Sequence, residues 1–513
     1  MPSVIKLQKA DLNILRDPRL FREFAYIDGA WTTGSSHRSI DVVNPADGER
    51  LGCVPALTGG DVARAAKAAR RAFGGWAAMV PRERSALLRR WFDLIVAAHE
   101  DLAVLMVQEQ GKPLTEARAE IDYAASFAEF YAEEAKRLNV ESVTSHLPDA
   151  SMTVMRQPLG VAALVTPWNF PSAMVTRKAA ATLAAGCTVV VHPSSQTPFS
   201  ALALAELAER AGLPAGAFNV VTGHAPEVVP ALTAAVDVRA VSFTGSTEVG
   251  RLVYAQSAPT IKRLVMELGG HAPFIAFADC DFDRAVDRAI AAKFATSGQD
   301  CLAANRFYVE RPVYERFVTA FAARATRLTV GPGMEDPDIG PLMNESAVAK
   351  QCAHVADALE RGARLLCGGE RHPAGPLFFQ PTVLADVPET AAIFREETFG
   401  PVAAFAPFDR EEEAVDRANR TETGLVAYLH TGDPARIARM SRRLEFGMVA
   451  VNRTRITGAP VPFGGMKQAG LGREGSRHGM EAFTDLKYVC CEVGREDLEI
   501  GRESRRGASD ADQ

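Results

Sequence analysis

Between residues 161 and 244, short apolar runs alternate with segments of helical pattern, and this alternation leaves the chain few folds to choose from. Val161 to Val165, Cys187 to Val191, Phe218 to Val221 and Val238 to Thr244 are too short for helices and are apolar on both faces. Strands of that kind belong to a parallel sheet covered on both sides by helices. The segments between them are punctuated accordingly. Pro171 to Ala185 reads as a helix stopped at Gly186, and Thr197-Pro198 reads as an N-cap with proline in the first turn of a helix closed by Gly212. The alternation resumes after Glu267, with strands expected near Phe274, Phe307, Leu365, Val402, Val426 and Val449. Upstream, Arg82 to Asn139 has helical spacing, and Val140 to Gln157 reads as strand. The chain is therefore expected to be an α/β protein with two α/β units in series, the second starting near Leu268. The charged tail after Val493 is expected to be disordered.

Composition narrows the function classes. At about 150 residues per domain, 513 residues suggest three or so folding units. Lys plus Arg number 57 against 63 Asp plus Glu, a net charge of −6, so no basic excess exists to bind nucleic acid. No window reaches about 18 apolar residues, so no membrane span is expected. Met1 to Arg16 mixes charges with apolar residues and lacks the apolar core of a signal peptide. The eight cysteines are scattered without CxxC pairs, so no metal is expected, and reduced thiols point to the cytoplasm.

Four segments could carry chemistry. There is no GxGxxG fingerprint, but Phe243-Thr-Gly245-Ser246 follows a strand and opens a helix, where backbone N–H groups can approach a phosphate. Cys301 lies in Ser297-Gly298-Gln299-Asp300-Cys301, where glycine breaks a helical run and puts the thiol on a turn. Glu267 ends an apolar strand beside Gly269 and Gly270, and Asn169 sits on a turn between Pro167 and Pro171. Taken singly, each also has an ordinary meaning: a strand–helix turn, a core thiol, a solvated strand end, a turn amide.

As a set, these segments resemble the aldehyde dehydrogenase superfamily from about Phe24 to Cys491. The motifs are TPWNFP at Thr166, FTGSTEVG at Phe243, MELGG at Met266, GQDC at Gly298, EETFGP at Glu396 and PFGG at Pro462. FSALALAELAERAG, PAGAFNVVTG, GLGREG and MVTRKAA are most similar to the succinate semialdehyde dehydrogenases. The resemblance implies a Rossmann-like NAD(P)-binding domain (1–139 and 158–267), an α/β catalytic domain (268–475) and a β-strand oligomerisation arm (140–157 and 476–493), assembled as a homodimer or homotetramer. It implies Cys301 as the nucleophile, Asn169 as the oxyanion donor, Glu267 as the base that activates hydrolytic water and Lys178 as support for the proton path. For the cofactor it implies Thr166, Pro167, Trp168, His192, Ser195, Gly245, Ser246, Leu268, Glu397 and Phe399.

Departures from the family pattern are informative. His192 stands where relatives carry Lys, and Ser195 where NAD-specific members carry Glu. Ser195 permits NADP, but His192 removes the cation that would hold its phosphate, so NAD is the expected cofactor. Arg177 matches one of the two arginines that bind the substrate carboxylate; Ala295 replaces the other. Arg453 and Arg455 are gained in the substrate loop, so an anionic aldehyde held by Arg177 with Arg455 or Arg453 is expected, succinate semialdehyde first, with glutarate semialdehyde, a sulfonated aldehyde or an aromatic aldehyde as alternatives and a catalytically silent nucleotide-binding member as the rival reading. Asp300, just before Cys301, is expected to raise the thiol pKa unless it points away. Ala303 removes the cysteine with which some relatives form a disulfide to the catalytic thiol.

Overall fold

Two sheets carry the fold of the computed structural model, which describes residues 14–493. The tail after Val493 and most of the Met1 to Arg16 stretch lie outside the described residues. In the first sheet five parallel strands run in the order Phe218–Val220, Thr188–His192, Val161–Val165, Val238–Thr244, Arg263–Glu267. In the second, six parallel strands run Thr382–Ala385, Val402–Phe408, Ala304–Glu310, Ala272–Ala276, Val426–His430, Met448–Val451, with Arg364–Cys367 antiparallel at one edge. The strands expected in the two sheets are present, whereas Val140 to Gln157 divides into Glu141–Val143 and Ala150–Pro158, and the expected arm segment 476–493 opens with the helix Ser476–Glu481 before its strand. Thr382–Ala385, a four-residue run inside a proline- and glycine-rich stretch, had no sequence signal of its own.

The chain leaves Val161–Val165 in one direction across the first sheet and returns on the other side at Val238–Thr244. That reversal opens a crevice at the carboxyl ends of the two strands. Thr166 to Asn169 follow the first strand, and Gly245 and Ser246 follow the second. Arg263–Glu267 ends beside them, and Gly470–Leu471 returns from far along the chain to pair antiparallel with Met266 and Glu267. A third, antiparallel sheet joins Thr484–Glu492, Ala150–Pro158 and Glu141–Val143, the first pair in register over nine residues. Among the described residues no helix is long and apolar enough to cross a membrane, and all eight cysteines are free thiols.

Helices around the first sheet are tied down by buried carboxylates. The helix Ala173–Ala184 is buried along its whole length, and its first N–H groups, those of Ser172 and Ala173, donate to Glu120 at 3.0 and 3.1 Å. Glu120 is itself paired with Lys112 at 2.5 Å. The helix Pro198–Arg210 departs from expectation. The Thr197 side chain does not cap it; Glu109 of the helix His99–Gln110 accepts from Phe199 N and Ser200 N at 2.7 and 2.8 Å. Thr197 turns its hydroxyl toward the Trp168 carbonyl instead. A carboxylate offers two acceptor oxygens where threonine offers one, so it satisfies two orphan N–H groups at once.

Glu109 is fully buried, and burial pushes its pKa up to about 8 against the opposing bonds from Ser200 and Phe199. Glu109→Ala strands both N–H groups and is expected to lower stability by about 2–4 kcal/mol, read as the shift in denaturant midpoint. Unchanged stability would mean water replaces the carboxylate.

Candidate active site

Cys301 is presented by a backbone that few sequences tolerate. The helix Phe282–Phe294 runs into a 3₁₀ turn, Ala295–Gly298, in which Thr296, Ser297 and Gly298 all have positive φ (51°, 57° and 72°). Such residues persist only where the surroundings over-determine them, and here the clamps are explicit. Thr296 N donates to both oxygens of Glu116 at 3.0 Å, and Ser297 Oγ donates to the Gly340 carbonyl at 3.0 Å. Gln299 donates to the Pro341 carbonyl and accepts from Met343 N. A Cβ at Gly298 would collide with the Gly400 carbonyl oxygen. Asn169 Nδ2 donates to the Gln299 carbonyl at 3.0 Å, which sets this amide against the loop two residues before the thiol. Lys112 Nζ holds the Asn169 carbonyl from behind at 2.8 Å.

Glu267 ends the strand Arg263–Glu267 at the carboxyl edge of the first sheet, whereas Cys301 lies just before Ala304–Glu310, at the amino end of the second. Among the described residues neither Glu267 oxygen has a hydrogen-bond partner, although the side chain is only 2% exposed. Burial raises its pKa well above the ordinary value. Glu474 adds to that rise, and Arg177 and Lys178 oppose it. A carboxyl group in that state is suited to taking a proton near neutral pH.

Beneath it lies a cluster that the sequence did not disclose. Glu474 accepts from Lys178 Nζ and lies 2.6 Å from Arg177 Nε; all three side chains are buried. Burial pushes the Glu474 pKa up, but Lys178 and Arg177 outweigh it and hold the carboxylate below its usual range. Ser242 Oγ completes the cluster, accepting from Lys178 Nζ at 3.0 Å and lying 3.2 Å from Glu474 Oε1. Arg177 also stacks on Phe463, 4.2 Å from the ring centre, and among the described residues its Nη1 has no hydrogen-bond partner.

A cavity of about 320 Å³ opens over Cys301. Arg177, Arg455, Asp300, Glu116, Tyr123 and Phe463 are in its walls, and Ala295 leaves space where a larger side chain would fill it. Arg453 and Arg455 are both exposed, but of the two it is Arg455 that lines this cavity. The chain turns at Asn452, just before both arginines, with φ 51° and its side chain tied to Thr431 N and the Thr431 carbonyl. Asp300 does not point away from the thiol. It lines the same cavity, with Oδ1 accepting from Leu302 N at 2.9 Å.

Of the cofactor candidates, Glu397 lines a second cleft, and the others are placed singly around it in the sequence of elements. A cleft of about 780 Å³ is lined by Thr247, Gly269, Gly270, Lys350, Glu397 and Gln468. Ser246 caps the helix Thr247–Ser257, accepting from Val249 N at 3.3 Å, so the helix N-terminus opens beside Gly245. Glu397 Oε1 accepts from Gly270 N at 3.0 Å, and a Cβ at Gly269 would come within 3.0 Å of Oε2. Burial raises the Glu397 pKa to about 7. Leu268 N donates to the Ala469 carbonyl, and its side chain fills the space beside Gly250. Trp168 meets Phe399 edge-on at 5.6 Å. His192 is buried, with Nδ1 3.0 Å from the Val221 carbonyl, and burial lowers its pKa to about 4, so the ring is neutral. Ser195 is half-exposed near the start of the helix Pro198–Arg210. A carboxylate for a diol, a helix N-terminus for a pyrophosphate and a glycine-lined wall fit a dinucleotide.

The Cys301 pKa is raised well above 9.0, first by burial, then by Asp300, with Glu397 and Glu267 adding and Arg177 opposing. Asp300→Asn is expected to move alkylation of Cys301 by iodoacetamide to lower pH by roughly one unit, since a like charge beside the thiolate is removed. Peptide mass spectrometry at Cys301 reads this directly, and an unmoved profile would show that the carboxylate does not act on the thiol.

The Aldehyde dehydrogenase family profile matches residues 31–489. The chain is 51% identical to the succinate-semialdehyde dehydrogenase [NADP(+)] of Escherichia coli over 477 residues, covering 93% of this chain and 99% of that protein. It is 52% identical to the non-phosphorylating aspartate-semialdehyde dehydrogenase of Halomonas elongata over 479 residues, 93% and 97% of the two chains. Among solved structures, an NADP-dependent enzyme of E. coli superposes with a TM-score of 0.93 at 50% identity, covering 93% of this chain and all of the other.

Proposed function

The chain belongs to the aldehyde dehydrogenase family, and from that premise we propose that it oxidises an acidic semialdehyde to the carboxylate with NAD(P), using Cys301 as the nucleophile. The Cys301 thiolate adds to the aldehyde carbon, and the oxyanion is received by the Asn169 amide and the Cys301 N–H. The bound dinucleotide supplies the acceptor for the two electrons and hydrogen that leave this carbon. Glu267 then takes a proton from the water that releases the acid, a role its unpartnered oxygens and raised pKa support. Lys178 and Glu474 keep a charged, hydrogen-bonded floor beneath Glu267. The net change is aldehyde, water and NAD(P)⁺ to carboxylate, reduced cofactor and two protons at neutral pH.

Glu397 would hold the nicotinamide ribose hydroxyls, Trp168 and Phe399 would flank the cofactor, and Thr166, Pro167, Leu268, Gly245 and Ser246 would bound its adenosine and pyrophosphate. The neutral, buried His192 supplies no charge to a 2′-phosphate, which favours NAD even though the E. coli relative is named for NADP. NAD is expected to give the higher kcat/KM, and a tenfold ratio in favour of NADP would reverse this assignment. The third sheet, with Leu486 and Tyr488 exposed on its long edge strand, is suited to pair subunits into a dimer or tetramer.

The observation that carries the substrate reading is the buried Arg177 Nη1, unpartnered among the described residues, in the wall of the Cys301 cavity that Arg455 also lines. Succinate semialdehyde is expected to exceed butyraldehyde in kcat/KM by at least about a hundredfold, roughly 2.7 kcal/mol at 1.36 kcal/mol per factor of ten. Arg455→Ala should raise KM for the acid while leaving butyraldehyde unchanged. Equal rates for the two aldehydes would refute an anion-binding pocket.

A further inference from the structure

The cavity over Cys301 is wider than a short aliphatic acid needs. At about 320 Å³ it has the size of sites that enclose drug-sized ligands, and such sites bury most of the ligand's surface. 4-Oxobutanoate, with two methylene groups between its ends, would leave much of this space to water. The wall offers that space an apolar lining of Phe170, Phe463, Met174 and Leu302, and Ala119 and Ala295 add width.

Both phenylalanine rings are held in place. Phe463 exchanges two backbone hydrogen bonds with Glu474, at 2.7 and 2.9 Å, and Arg177 stacks on its ring. Phe170 has Lys112 Nζ 4.2 Å from its ring centre, a cation fixed in turn by Glu120 and the Asn169 carbonyl. The carboxyl groups of the wall are committed to the turn that carries the thiol: Glu116 accepts from Thr296 N and Asp300 from Leu302 N. Burial raises the pKa of both, against those bonds and the nearby Lys112. What the wall keeps in reserve is the buried Arg177 Nη1, without a hydrogen-bond partner among the described residues, and Arg455, which makes no ion pair among them.

We propose that the substrate is an aromatic aldehyde acid, with formyl and carboxylate groups on one ring: the ring packs on Phe170 and Phe463, and the carboxylate is received by Arg177 and Arg455. A planar ring finds fixed aromatic partners in this wall. It also has no chain torsions to freeze on binding, unlike a flexible acid of the same reach. The guanidinium groups receive the carboxylate in charge-assisted hydrogen bonds. Ala295 is then the residue that admits the ring, since a longer side chain there would occupy the same space. The thiol adds to the formyl carbon, water and NAD(P)⁺ complete the oxidation, and the product is an arene dicarboxylate.

This inference rests on the acidic-aldehyde reading, and the test separates the two. The kcat/KM of the purified enzyme is measured with 3- and 4-formylbenzoate, benzaldehyde, 4-oxobutanoate and butyraldehyde at saturating cofactor. The better formylbenzoate is expected to exceed both 4-oxobutanoate and benzaldehyde at least tenfold. Ala295→Leu is expected to reduce the ratio of that formylbenzoate to 4-oxobutanoate at least tenfold. The wild-type comparison alone tests the idea if the variant folds poorly. A formylbenzoate no better than 4-oxobutanoate, or a ratio unmoved in Ala295→Leu, overturns the aromatic substrate while the acidic-aldehyde reading survives on 4-oxobutanoate over butyraldehyde. If no acid surpasses its uncharged counterpart, both fall.

Discussion

The buried triangle of Arg177, Lys178 and Glu474 underlies the arrangement of the site. Two adjacent cations on a fully buried helix would be untenable without a carboxylate, since desolvating each costs several kcal/mol. Glu474 comes from a segment some 300 residues further on, so its arrival ties the C-terminal part of the chain to the helix Ala173–Ala184. That tie keeps one edge of Arg177 occupied and turns the other to the cavity. The same carboxylate raises the neighbouring Glu267, so the stabilising interaction also sets the acidity of the candidate base.

A second constraint is the strained turn before Cys301. Three successive positive φ angles would relax in an isolated peptide. Glu116, Gly340, Pro341 and Gly400 hold them from different elements. The turn forms only when the helix Leu114–Glu134 and the second sheet are both in place, which couples the thiol's position to packing far beyond its own loop.

Much of the architecture was readable because buried parallel strands are apolar throughout and are separated by capped helices. The site residues were readable only through motif resemblance, since taken singly Cys301 and Glu267 look like a core thiol and a solvated strand end. What stayed hidden depends on long-range contact. Glu474 lies in Gly472-Arg473-Glu474-Gly475, a local context that reads as an exposed turn. Glu109 replaces Thr197 as a cap from 90 residues away. Glu116 and Tyr123 belong to an acid-rich helix whose spacing says only that one face is buried. That Arg455 lines the cavity and Arg453 does not is set by the loop that follows the left-handed Asn452, which no periodicity announces.

The short strand Gly470–Leu471 closes the first sheet against Met266 and Glu267, and a ribosome makes it well after them. Arg455, Phe463 and Glu474 emerge in the same late stretch. While synthesis is under way, the thiol, the base and the cofactor crevice exist without the wall that gives them a shared cavity. The reactive centre is thus completed only after its nucleophile has been made, and a growing chain does not display an organised nucleophile to the aldehydes around it.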